Sequence, residues 1–579
     1  MYYRNYRKRK YNSLSKLRRT MIITKLLLIG VIIMVILGIS GIFNHDAAAC
    51  IIQDDKIIAM VEEERLIRRK RAYKALPIES TKYCLHQAGI EPEEIDILAV
   101  SWDPSLFKNE SYDENYLSKF INNPNWRGRL KPQIVFVPHH VAHAASSYYI
   151  SNIDSGVIIV VDGHGEDVST SIGYCEKGRI RIDSSHPISS SLGHFYETVS
   201  SFLGLGNNSS GKMMGLASYG KEKHLFDDLI QVDSLAYNIS IMQGKENDGF
   251  HETRSLWMKY LANKFGSLYG NNYEWDSVTL SSRYIVKEFD EASNIAASAQ
   301  FILEDTVIRL IKNAFEKYNT RNLMLAGGVA LNCSMNGRII RDLRPDQFFV
   351  CPASNDAGVA LGAALFVLGK KISDNFTPYL GPENKDSDIK ALLNRWNLKY
   401  CESSDISEDI SNFLADNKTI GLIQGRGEIG PRALGNRSII ALPIGDEIRD
   451  RVNDIKCREK WRPLSPSLIT ENAIPLLGEN IDSKYMLEAH YVKSLAKTNI
   501  RGAVHIDDTC RPQVVSRSDN PIYYDIIKKV YNKTGVMAVM NTSFNDASEP
   551  MVLSSKDAVR TFMASPLDVL VIGNNIIIK

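Results

Sequence analysis

Short apolar runs alternate with helical patterns along most of this 579-residue chain. Strands are predicted by MVILGIS, AAACIIQ, KIIAMVEEE and IDILAVSW, and a helix by the spacing of apolar residues over 78–88. Further along, IVFVPHHVAHAASSYY predicts strand, loop and helix, and GVIIVVDGHGED a buried strand that ends in an acid. A long helix is predicted from Asn294 to Tyr318, followed by the strand NLMLA. This alternation indicates an α/β fold whose functional loops lie at the strand ends.

The rhythm of strands and helices is interrupted twice. Residues 222–290 are polar, aromatic and weakly patterned, which indicates an insertion, and the rhythm is lost again near residues 375–405. After that point, TIGLIQGRGEIGPRALG and AVMNTSFN begin a second compact α/β unit. We therefore expect a larger unit over residues 34–390 and a smaller one over residues 400–579. The sequence shows no internal repeat of fixed period.

Composition is that of an ordinary globular protein, with 44% hydrophobic and 23% charged residues. The net charge of +2 conceals an asymmetry, because residues 1–33 carry nine Lys/Arg and no acid, and the remainder has 60 bases and 67 acids. A body without a basic excess is not expected to bind nucleic acid. The eight cysteines are scattered without a CxxC pair, which indicates reduced, cytosolic usage rather than a disulfide framework.

Two histidines and two acids are candidate metal ligands. His139 and His143 are four residues apart, so both imidazoles would point to the same side of a helical turn. Ordinary hydrogen bonding at a helix start is the alternative. Asp162 ends a buried strand and Asp356 precedes Ala-Gly in SNDAGVALGAA, where each could simply cap a turn. Together the four would form a His2Asp2 set suited to Fe(II), Mn(II) or Zn(II).

Loops rich in glycine are candidates for holding phosphate. Gly327-Gly328 stands between a predicted strand and a helix, where backbone N–H groups and the helix N-terminus can bind an anion. In SSGKMMGLASYG, Lys212 follows a glycine and could also hold a phosphate. Glycines equally serve tight packing, and loop lysines are often solvated, so both interpretations stay open at this point.

The second unit is rich in arginine beside glycine and proline. Six of its basic residues fall within 37 positions: Arg426, Arg432, Arg437, Lys456, Arg458 and Arg462. Arginine forks match the paired oxygens of phosphate and carboxylate groups, although a solvated basic patch is the alternative. The motif MNTSFN follows a predicted strand with Asn541, Ser543 and Asn545, whose small polar groups could hold a nucleotide or a carbonyl.

Taken together, these motifs resemble those of the NodU/CmcH-type O-carbamoyltransferases. HHVAHAASSYY, VVDGHGE, GKMMGLASYG, GGVALNCSMNGR, SNDAGVALGAAL, GRGEIGPRALGNRS, KCREKWRPLSPS and MNTSFN occur in the family's order and spacing, and the resemblance covers about residues 34–579. It implies a larger domain of the actin/sugar-kinase/Hsp70 (ASKHA) class and a smaller YrdC-like domain. The smaller domain is expected to form carbamoyl adenylate from carbamoyl phosphate and ATP, and the larger to transfer the carbamoyl group to an acceptor hydroxyl.

The resemblance also implies roles for individual residues. His45 in NHDAAA matches the proposed general base, and His139, His143, Asp162 and Asp356 match an iron site. From the resemblance and from the loops above, the residues expected to hold carbamoyl phosphate or nucleotide are Lys70, Lys212, Gly327, Gly328, Asn332, Arg432, Arg437, Lys456, Arg458, Arg462, Ser543 and Asn545. The expected cofactors are Fe(II) or another divalent metal and ATP with Mg(II), with carbamoyl phosphate as co-substrate.

The expected partner is a small-molecule hydroxyl acceptor, such as a sugar, a polysaccharide precursor or a natural product, and no nucleic acid. Acceptor contacts are expected from loops such as residues 222–290, and a homodimer is expected by family analogy only. A tRNA threonylcarbamoyl transferase is the nearest alternative enzyme, but the fused arginine-rich unit and the mildly acidic body disfavour it. A membrane-anchored, non-enzymatic ATP-binding protein is disfavoured because every expected site position is present.

The first apolar run raises the question of a membrane anchor. Leu26–Phe43 is uncharged over 18 residues, but VILGIS within it is needed as the first strand. The remainder, MIITKLLLIGVII, has 13 residues and contains Lys25, which is too short to span a bilayer. Basic residues ahead of a span would also send the body away from cytosolic ATP. We expect translation to begin at Met34, or residues 1–33 to be a dispensable extension that could touch a membrane, and the enzyme to be cytoplasmic.

Overall fold

The structure is a computed structural model that describes residues 34–41, 45–107, 115–126, 128–206, 208–266 and 289–579, with the backbone of 273–276 and 281–284. The predictions for residues 1–33, and those for part of the segment 222–290, lie outside these described residues. The run VILGI forms the buried strand Val35–Ile39, as predicted. Across the described part of the chain, no helix combines the length and the apolar character needed to cross a membrane.

Five strands form the first sheet, in the order Lys56–Glu62, Ala48–Gln53, Val35–Ile39, Ile97–Val100 and Gln133–Phe136. The first three strands are antiparallel neighbours, and the last two join them in parallel. The predicted helix is present as Ile78–Ala88 and buries Cys84 and Leu85 against this sheet. It ends at Gly89, whose φ of 67° is the left-handed conformation that favours glycine at a helix end.

The second sheet repeats this arrangement, in the order Arg179–Pro187, Val168–Glu176, Ser155–Gly165, Asn322–Ala326 and Gln347–Val350. Again three strands are antiparallel neighbours and two join in parallel. The repeat lies in the topology and is not visible as a period in the sequence. The predicted α/β fold is confirmed.

Two helices, His139–Tyr148 and Val359–Leu368, lie between the two sheets, since their buried residues share one apolar core with strands of both. They approach each other very closely: a Cβ at Gly362 would meet the Ala142 carbonyl oxygen at 1.8 Å. Only glycine permits this approach without displacing one helix. The contact brings the segment that precedes Val359 next to the first turn of His139–Tyr148.

The described part of the segment 222–290 belongs to the core of the larger unit. It forms a hairpin, Ile230–Asp233 with Ala236–Ile239, and the helix Phe250–Phe265. Tyr237 and Trp257 are buried in the same core as the long helix Phe289–Tyr318. The strands of the hairpin have only four residues each, which explains why no periodic pattern marks them in the sequence.

The third sheet has eight strands, in the order Cys401–Glu402, Asn575–Ile578, Val569–Ile572, Ile420–Ile423, Arg437–Ala441, Ala538–Ser543, Ser465–Ile469 and Gln513–Val515. Alternate residues of its strands face opposite sides, so helices pack on both faces. One face carries Ile406–Ala415 and Pro521–Thr534, and the other carries Asp386–Arg395, Glu447–Ile455 and Ser555–Ala564. The division into units 34–390 and 400–579 stays a prediction.

Shorter elements complete the described chain. The strands Tyr379–Glu383 and Arg426–Glu428 pair with each other, as do His490–Tyr491 and Thr509–Cys510, and Tyr273–Asp276 with Ser281–Tyr284. The remaining α-helices are Glu63–Ile67, Asn115–Ile121, Leu192–Phe202, Ser210–Ala217, Cys333–Leu343 and Ala473–Leu477. Short 3-10 turns at Lys70–Ala72, Gly328–Leu331 and Asp356–Gly358 contribute residues to the site described next.

Candidate active site

A cavity of about 1480 Å³ lies where the ends of the first two sheets meet loops of the third sheet. Its lining includes His45 after the first strand, Asp162 near the end of the strand Ser155–Gly165, Phe250 from the segment 222–266, and Arg432 from the arginine-rich loop. The cavity is larger than the usual 300–1,000 Å³ of a small-ligand site. It is large enough for two reactants side by side.

Four predicted ligands meet at one wall of this cavity. The Nε2 atoms of His139 and His143 lie 3.4 and 3.6 Å from Asp162 Oδ2, and both lie 3.6 Å from Asp356 Oδ1. One donor atom from each of the four residues lies within 4.8 Å of all the others. Four donors that share one metal at about 2.1 Å in a tetrahedral arrangement would stand roughly 3.4 Å apart. The observed distances fit that arrangement.

The imidazole nitrogens of this cluster lack hydrogen-bond partners among the described residues. Nδ1 and Nε2 of both His139 and His143 are buried without a partner, and both rings are 0% exposed. Leaving buried polar atoms unpaired costs about 1–3 kcal/mol each. His140 between them differs, because its Nδ1 lies 2.9 Å from Ser171 Oγ. Two unpaired imidazoles facing two carboxylates are the donor set expected for a divalent transition metal.

The electrostatics of the cluster favour positive charge at its centre. Burial alone would lower the pKa of His139, but Asp356 and Asp162 outweigh it and raise the pKa to about 10. Burial would raise the pKa of Asp162, whereas the adjacent His139 and His143 imidazoles hold it well below its usual range. The carboxylates are therefore ionised and the site attracts a cation.

Two further groups hold the ligands in place. Glu166 is buried, and its carboxylate accepts N–H bonds from His139 at 3.0 Å and from Asp103 at 2.9 Å, so it anchors the start of the histidine helix. Burial raises the pKa of Glu166 to about 7. Gly328 N–H donates to Asp162 Oδ1 at 2.8 Å. That carboxylate is thereby oriented with its other oxygen toward the two imidazoles.

His45 lies beside this cluster, at the cavity surface. Its Nδ1 is 3.3 Å from Asp46 Oδ2 and 3.7 Å from Asp356 Oδ2, and its side chain is 37% exposed. Burial lowers the pKa of His45, but the Asp46 hydrogen bond and the Asp356 charge outweigh it and raise the pKa to about 9. The imidazole is thus held by carboxylates on one side and open to the cavity on the other.

A second group of predicted residues meets beside the third sheet. Lys456 Nζ lies 3.2 Å from Ser543 Oγ, 2.9 Å from Asn545 Oδ1 and 2.8 Å from the Asn545 carbonyl oxygen. Lys456 is only 4% exposed and has no carboxylate partner among the ion pairs of the described residues. Burial, followed by the charges of Arg458 and Arg462, lowers its pKa well below the usual value.

Around Lys456 lies a group of cations that we call the cationic cluster. Its members interact electrostatically with one another: Lys70, Lys212, Arg432, Lys456, Arg458, Arg462 and Arg511. Glu459 is paired with Lys212 at 3.1 Å and lies 3.8 Å from Arg462, so it balances only part of this charge. Mutually repelling cations held together by the fold indicate an anion-binding site.

Several predicted residues have other roles in the structure. Arg437 does not join the cationic cluster: it is fully buried and donates to the carbonyl oxygens of five residues, namely Gln424, Gly425, Asn436, Pro382 and Leu553. Arg426 also stays outside the cationic cluster, and its guanidinium donates to the carbonyl oxygens of Ile58, Leu380 and Gly381. Because both guanidinium groups donate their hydrogen bonds to backbone carbonyls, neither is available to bind phosphate in this arrangement.

The predicted glycine loop lines the cavity with its N–H groups already engaged in part. Gly327 has a φ of 88°, and a Cβ there would meet the Val161 carbonyl oxygen at 2.3 Å, so glycine is required for packing. Asn332 caps the helix Cys333–Leu343 through the Met335 N–H at 3.0 Å, and it exchanges hydrogen bonds with Gln300. The loop therefore supports the wall of the cavity and orients Asp162.

Sequence reasoning missed Glu166, Glu459 and Arg511. Glu166 stands in the motif VVDGHGED, so a carboxylate four residues after Asp162 was visible, but not its bond to a helix 27 residues earlier. Arg511 lies in a loop with no neighbouring basic residue, and no pattern in the sequence marks it. Its contribution follows only from the fold, which brings it near Arg432 and Arg462.

Comparison with protein families matches both units of the chain. The family model described as the carbamoyltransferase N-terminus matches residues 35–126 and 106–365, and that of the carbamoyltransferase C-terminus matches residues 411–579. The nodulation protein NolNO of Sinorhizobium fredii is 33% identical over 574 residues, which is 94% of this chain and 80% of that protein. NolO of Bradyrhizobium diazoefficiens is 34% identical over 451 residues, 75% of this chain and 77% of NolO.

Solved structures resemble the chain only distantly. Component A of the (R)-2-hydroxyglutaryl-CoA dehydratase of Acidaminococcus fermentans is 14% identical with a TM-score of 0.32, covering 57% of this chain and 97% of that one. HypF of T. kodakarensis is 14% identical with a TM-score of 0.30, covering 58% of this chain and 48% of that one. Nodulation protein U of Sinorhizobium fredii is a sequence relative at 24% identity over 538 residues, covering 87% of this chain and 92% of that protein.

Proposed function

The chain belongs to the carbamoyltransferase family, and on that premise we propose that it is an ATP-dependent O-carbamoyltransferase with two separate reaction sites. In the first reaction, water releases phosphate from carbamoyl phosphate, and the resulting carbamate oxygen attacks the α-phosphorus of ATP, displacing pyrophosphate and leaving carbamoyl adenylate. In the second, an acceptor hydroxyl attacks the carbamoyl carbon, AMP leaves, and the hydroxyl proton passes to a base.

The observation that carries this proposal is the pairing of two unlike sites. The cationic cluster suits phosphate, nucleotide and pyrophosphate, which are all anions. The histidine–aspartate cluster beside His45 suits a divalent metal and a proton acceptor. Arg432 and the cluster's Asp162 and Asp356 line one cavity, so an intermediate made at one site has a route to the other.

In the first reaction, Lys456, Ser543 and Asn545 would bind carbamoyl phosphate. The Lys456 ammonium is held between the Ser543 and Asn545 oxygens, which fixes its position without neutralising it. Arg458 and Arg462 would offset the charge that develops on the transferring phosphoryl groups, as preorganised cations do in phosphoryl transfer. The carbamate carbon would keep its oxygen and nitrogen throughout, so only P–O bonds break in this step.

In the second reaction, the neutral form of His45 would accept the proton of the attacking hydroxyl, and its share grows as pH rises toward the pKa of about 9. Asp46 holds the Nδ1 side of the ring at 3.3 Å, which leaves Nε2 as the nitrogen available to the acceptor. His139, His143, Asp162 and Asp356 would hold Fe(II) or another divalent metal, which when bound supplies Lewis-acid polarisation or orientation of an oxygen ligand. Adenylate is the leaving group because phosphate ester oxygens carry negative charge readily.

We propose that the acceptor hydroxyl compound binds along a further part of the cavity lining. That part includes Asn247, Phe250 and Arg254 from the segment 222–266, and His164 and His194 from the second-sheet region. Phe250 stacks on His164 with ring centroids 5.8 Å apart, and it meets His194 edge-on at 4.8 Å. An aromatic face with polar neighbours suits a sugar ring or a similar polyhydroxylated compound.

The test is a direct search for the intermediate. The full chain is incubated with ATP, Mg(II), carbamoyl phosphate and Fe(II), and the products are analysed for carbamoyl adenylate by mass spectrometry and for released pyrophosphate. We expect both products in the absence of any acceptor. Absence of adenylate together with absence of pyrophosphate release would refute the proposed function.

Two variants separate the reactions. Lys456→Ala should lose adenylate and pyrophosphate formation, because the phosphate-binding ammonium is removed. His45→Ala should still form adenylate but fail to transfer the carbamoyl group to acceptor hydroxyls. Retention of adenylate formation by Lys456→Ala would contradict the assignment of the first site, and unchanged transfer by His45→Ala would contradict that of the base.

A further inference from the structure

One segment, residues 63–74, contacts both of the proposed reaction sites, and we call it the arginine segment. It consists of the short helix Glu63–Ile67 followed by the turn Lys70–Ala72. Four of its non-glycine residues have positive φ: Arg68 at 57°, Arg71 at 61°, Ala72 at 46° and Lys74 at 54°. Each such residue is strained, because its Cβ crowds the backbone in the left-handed region. Contacts outside the segment must therefore hold it in this shape.

Arg68 fixes the arginine segment to the loop 547–551, which follows the third-sheet strand Ala538–Ser543. Its guanidinium donates to the carbonyl oxygens of Met551 and Pro550, both at 2.8 Å, and to the Glu549 carboxylate at 3.1 Å. A planar guanidinium presents separate nitrogens to the two neighbouring carbonyls in a fixed geometry, whereas an ammonium must reach both from a single nitrogen. The side chain is 19% exposed, so these bonds are largely shielded from water.

The loop 547–551 is bonded in turn to the residues of the first reaction site. The Asn545 side-chain amide donates to the Glu549 carbonyl oxygen at 2.8 Å, and Lys456 Nζ lies 2.9 Å from the Asn545 side-chain oxygen. A chain of hydrogen bonds therefore runs from the Lys456 ammonium through Asn545 to the backbone that Arg68 holds. An anion that displaces Lys456 must disturb this chain.

The other end of the arginine segment is bonded to the loop of His45. The Asp46 N–H donates to the Arg71 carbonyl oxygen at 2.7 Å, and the Arg71 guanidinium donates to Asn208 at 2.6 Å. Arg71 also lines the cavity with His45 and Asp46. Only two residues separate Arg71 from Arg68 in the sequence. A displacement of Arg68 should therefore also displace Arg71, whose carbonyl oxygen accepts the hydrogen bond from Asp46 beside His45.

We propose that Arg68 is a positioning residue that couples the loop 547–551 to the loop of His45. Occupation of the cationic cluster by carbamoyl phosphate and nucleotide then sets the geometry in which His45 meets the acceptor. This inference rests on the proposed function, because that function supplies the two ligands. A strained turn suits such a role, since it changes between discrete arrangements rather than bending gradually.

The experiment measures amide hydrogen exchange of the full chain with and without carbamoyl phosphate, a non-hydrolysable ATP analogue and Mg(II). In the wild-type protein, the ligands protect residues 540–551 directly. They also slow exchange of the Asp46 amide, whose acceptor is Arg71, by at least about fivefold, the lower end of coupling between sites. In Arg68→Gln, protection of residues 540–551 persists and the slowing at Asp46 is lost.

Control variants separate coupling from general damage. Arg129→Gln removes an arginine paired with Glu91 and Glu93 that has no bond to the loop 547–551, and it must keep the slowing at Asp46. Arg68→Lys keeps the charge but loses the fixed planar geometry of the guanidinium, so an intermediate effect is expected, and it serves if Arg68→Gln does not fold.

The outcomes are distinguishable from a failure of the proposed function. A fivefold slowing at Asp46 that survives in Arg68→Gln or is undiminished in Arg68→Lys would overturn the coupling while leaving the first reaction intact. If the ligands protect neither region of the wild-type protein, the proposed function fails and the coupling with it. Loss confined to Asp46 in the Arg68 variants supports the proposal, because a merely structural role would loosen both regions alike.

Discussion

The ammonium of Lys456 lies 2.9 Å from the side-chain oxygen of Asn545, which joins two motifs that are 89 residues apart in the chain. The contact joins Lys456, at the end of the helix Glu447–Ile455, to Asn545, two residues beyond the strand Ala538–Ser543. It fixes a buried cation without providing a countercharge. The two motifs therefore form one site that has its charge available to an incoming anion.

Anion binding at this site should depend on pH through Lys456. Burial and the charges of Arg458 and Arg462 lower its pKa, and a bound carbamoyl phosphate would raise it again. Between the lowered and the ordinary pKa, binding must take up a proton, so affinity falls as pH rises through that window. Isothermal titration with carbamoyl phosphate in two buffers of different ionisation enthalpy measures this uptake.

The same residue predicts the pH dependence of stability in the free protein. A lysine with a lowered folded pKa binds fewer protons than its unfolded counterpart between the two pKa values, so the free energy of unfolding rises with pH across that window. Lys456→Met should be more stable than the wild type at neutral pH and bind carbamoyl phosphate roughly 10- to 150-fold more weakly. The matched control is Lys529→Met, which removes a surface pair with Asp405. Equal proton uptake on carbamoyl phosphate binding by the wild type and by Lys456→Met would contradict the assignment of that uptake to Lys456.

Removal of one predicted ligand should empty the metal site. His143→Ala deletes a buried imidazole that lies 3.6 Å from two carboxylates, and we expect metal affinity to fall by more than the 10- to 100-fold that loss of a supporting group costs. Metal content of purified protein, measured by inductively coupled plasma mass spectrometry, reports this without an activity assay. The control is His86→Ala, an exposed histidine of the helix Ile78–Ala88. Full metal content in His143→Ala would argue against the four-ligand site.

The helix contact at Gly362 should control the same site from a distance. Gly362→Ala would place a Cβ 1.8 Å from the Ala142 carbonyl oxygen, so the helices must separate and carry Asp356 away from His139 and His143. Overpacking of this kind costs about 1–3 kcal/mol. We expect a lower melting midpoint together with reduced metal content.

Gly211→Ala is the corresponding control, because a Cβ at that helical position meets no atom within 4 Å. Its metal content should equal that of the wild type, and its melting midpoint should be equal or higher, because alanine favours a helix more than glycine does. A Gly362→Ala protein that melts earlier but binds metal normally would show that the contact supports the fold without positioning the ligands.

Arg437 should behave as a structural residue and not as a phosphate ligand. Arg437→Met removes a buried cation that bonds five carbonyl oxygens, and leaving them unpaired should lower the free energy of unfolding by about 3–5 kcal/mol. The urea midpoint, followed by circular dichroism, measures this. Arg451→Met, which removes an exposed pair with Asp568, should cost less than about 1 kcal/mol. Comparable midpoints for the two variants would contradict the assignment.

Local patterns were sufficient for much of the fold and for the choice of the candidate metal ligands. The helix Ile78–Ala88 has its predicted bounds, and the long helix ends at Tyr318 as predicted, because apolar spacing and end residues are local properties. The pair His139 and His143 could be read because a helix repeats every 3.6 residues. Asp162 could be read because the strand before it is buried on both faces, which leaves a continuous apolar run.

The roles of the arginines could not be predicted from local sequence patterns. Arg437 begins a strand after a glycine-rich loop and Arg458 stands in a charged loop, yet the first is surrounded by backbone carbonyls and the second lies among cations. The difference depends on which segments fold against each side chain. A long side chain ends several ångströms from its own backbone, so its partners are seldom its neighbours in sequence.

The sequence by itself therefore determined the α/β class, the order of the motifs and the chemical types of the candidate groups. Tertiary structure alone decided that the two sheets repeat one topology, that Arg511 joins the cationic cluster while Glu459 balances part of its charge, and that Arg68 and Arg71 bond to different loops. The physical reason is the range of the forces involved. Backbone hydrogen bonding and apolar periodicity act over a few residues, whereas buried charges are placed by contacts between segments that are hundreds of residues apart.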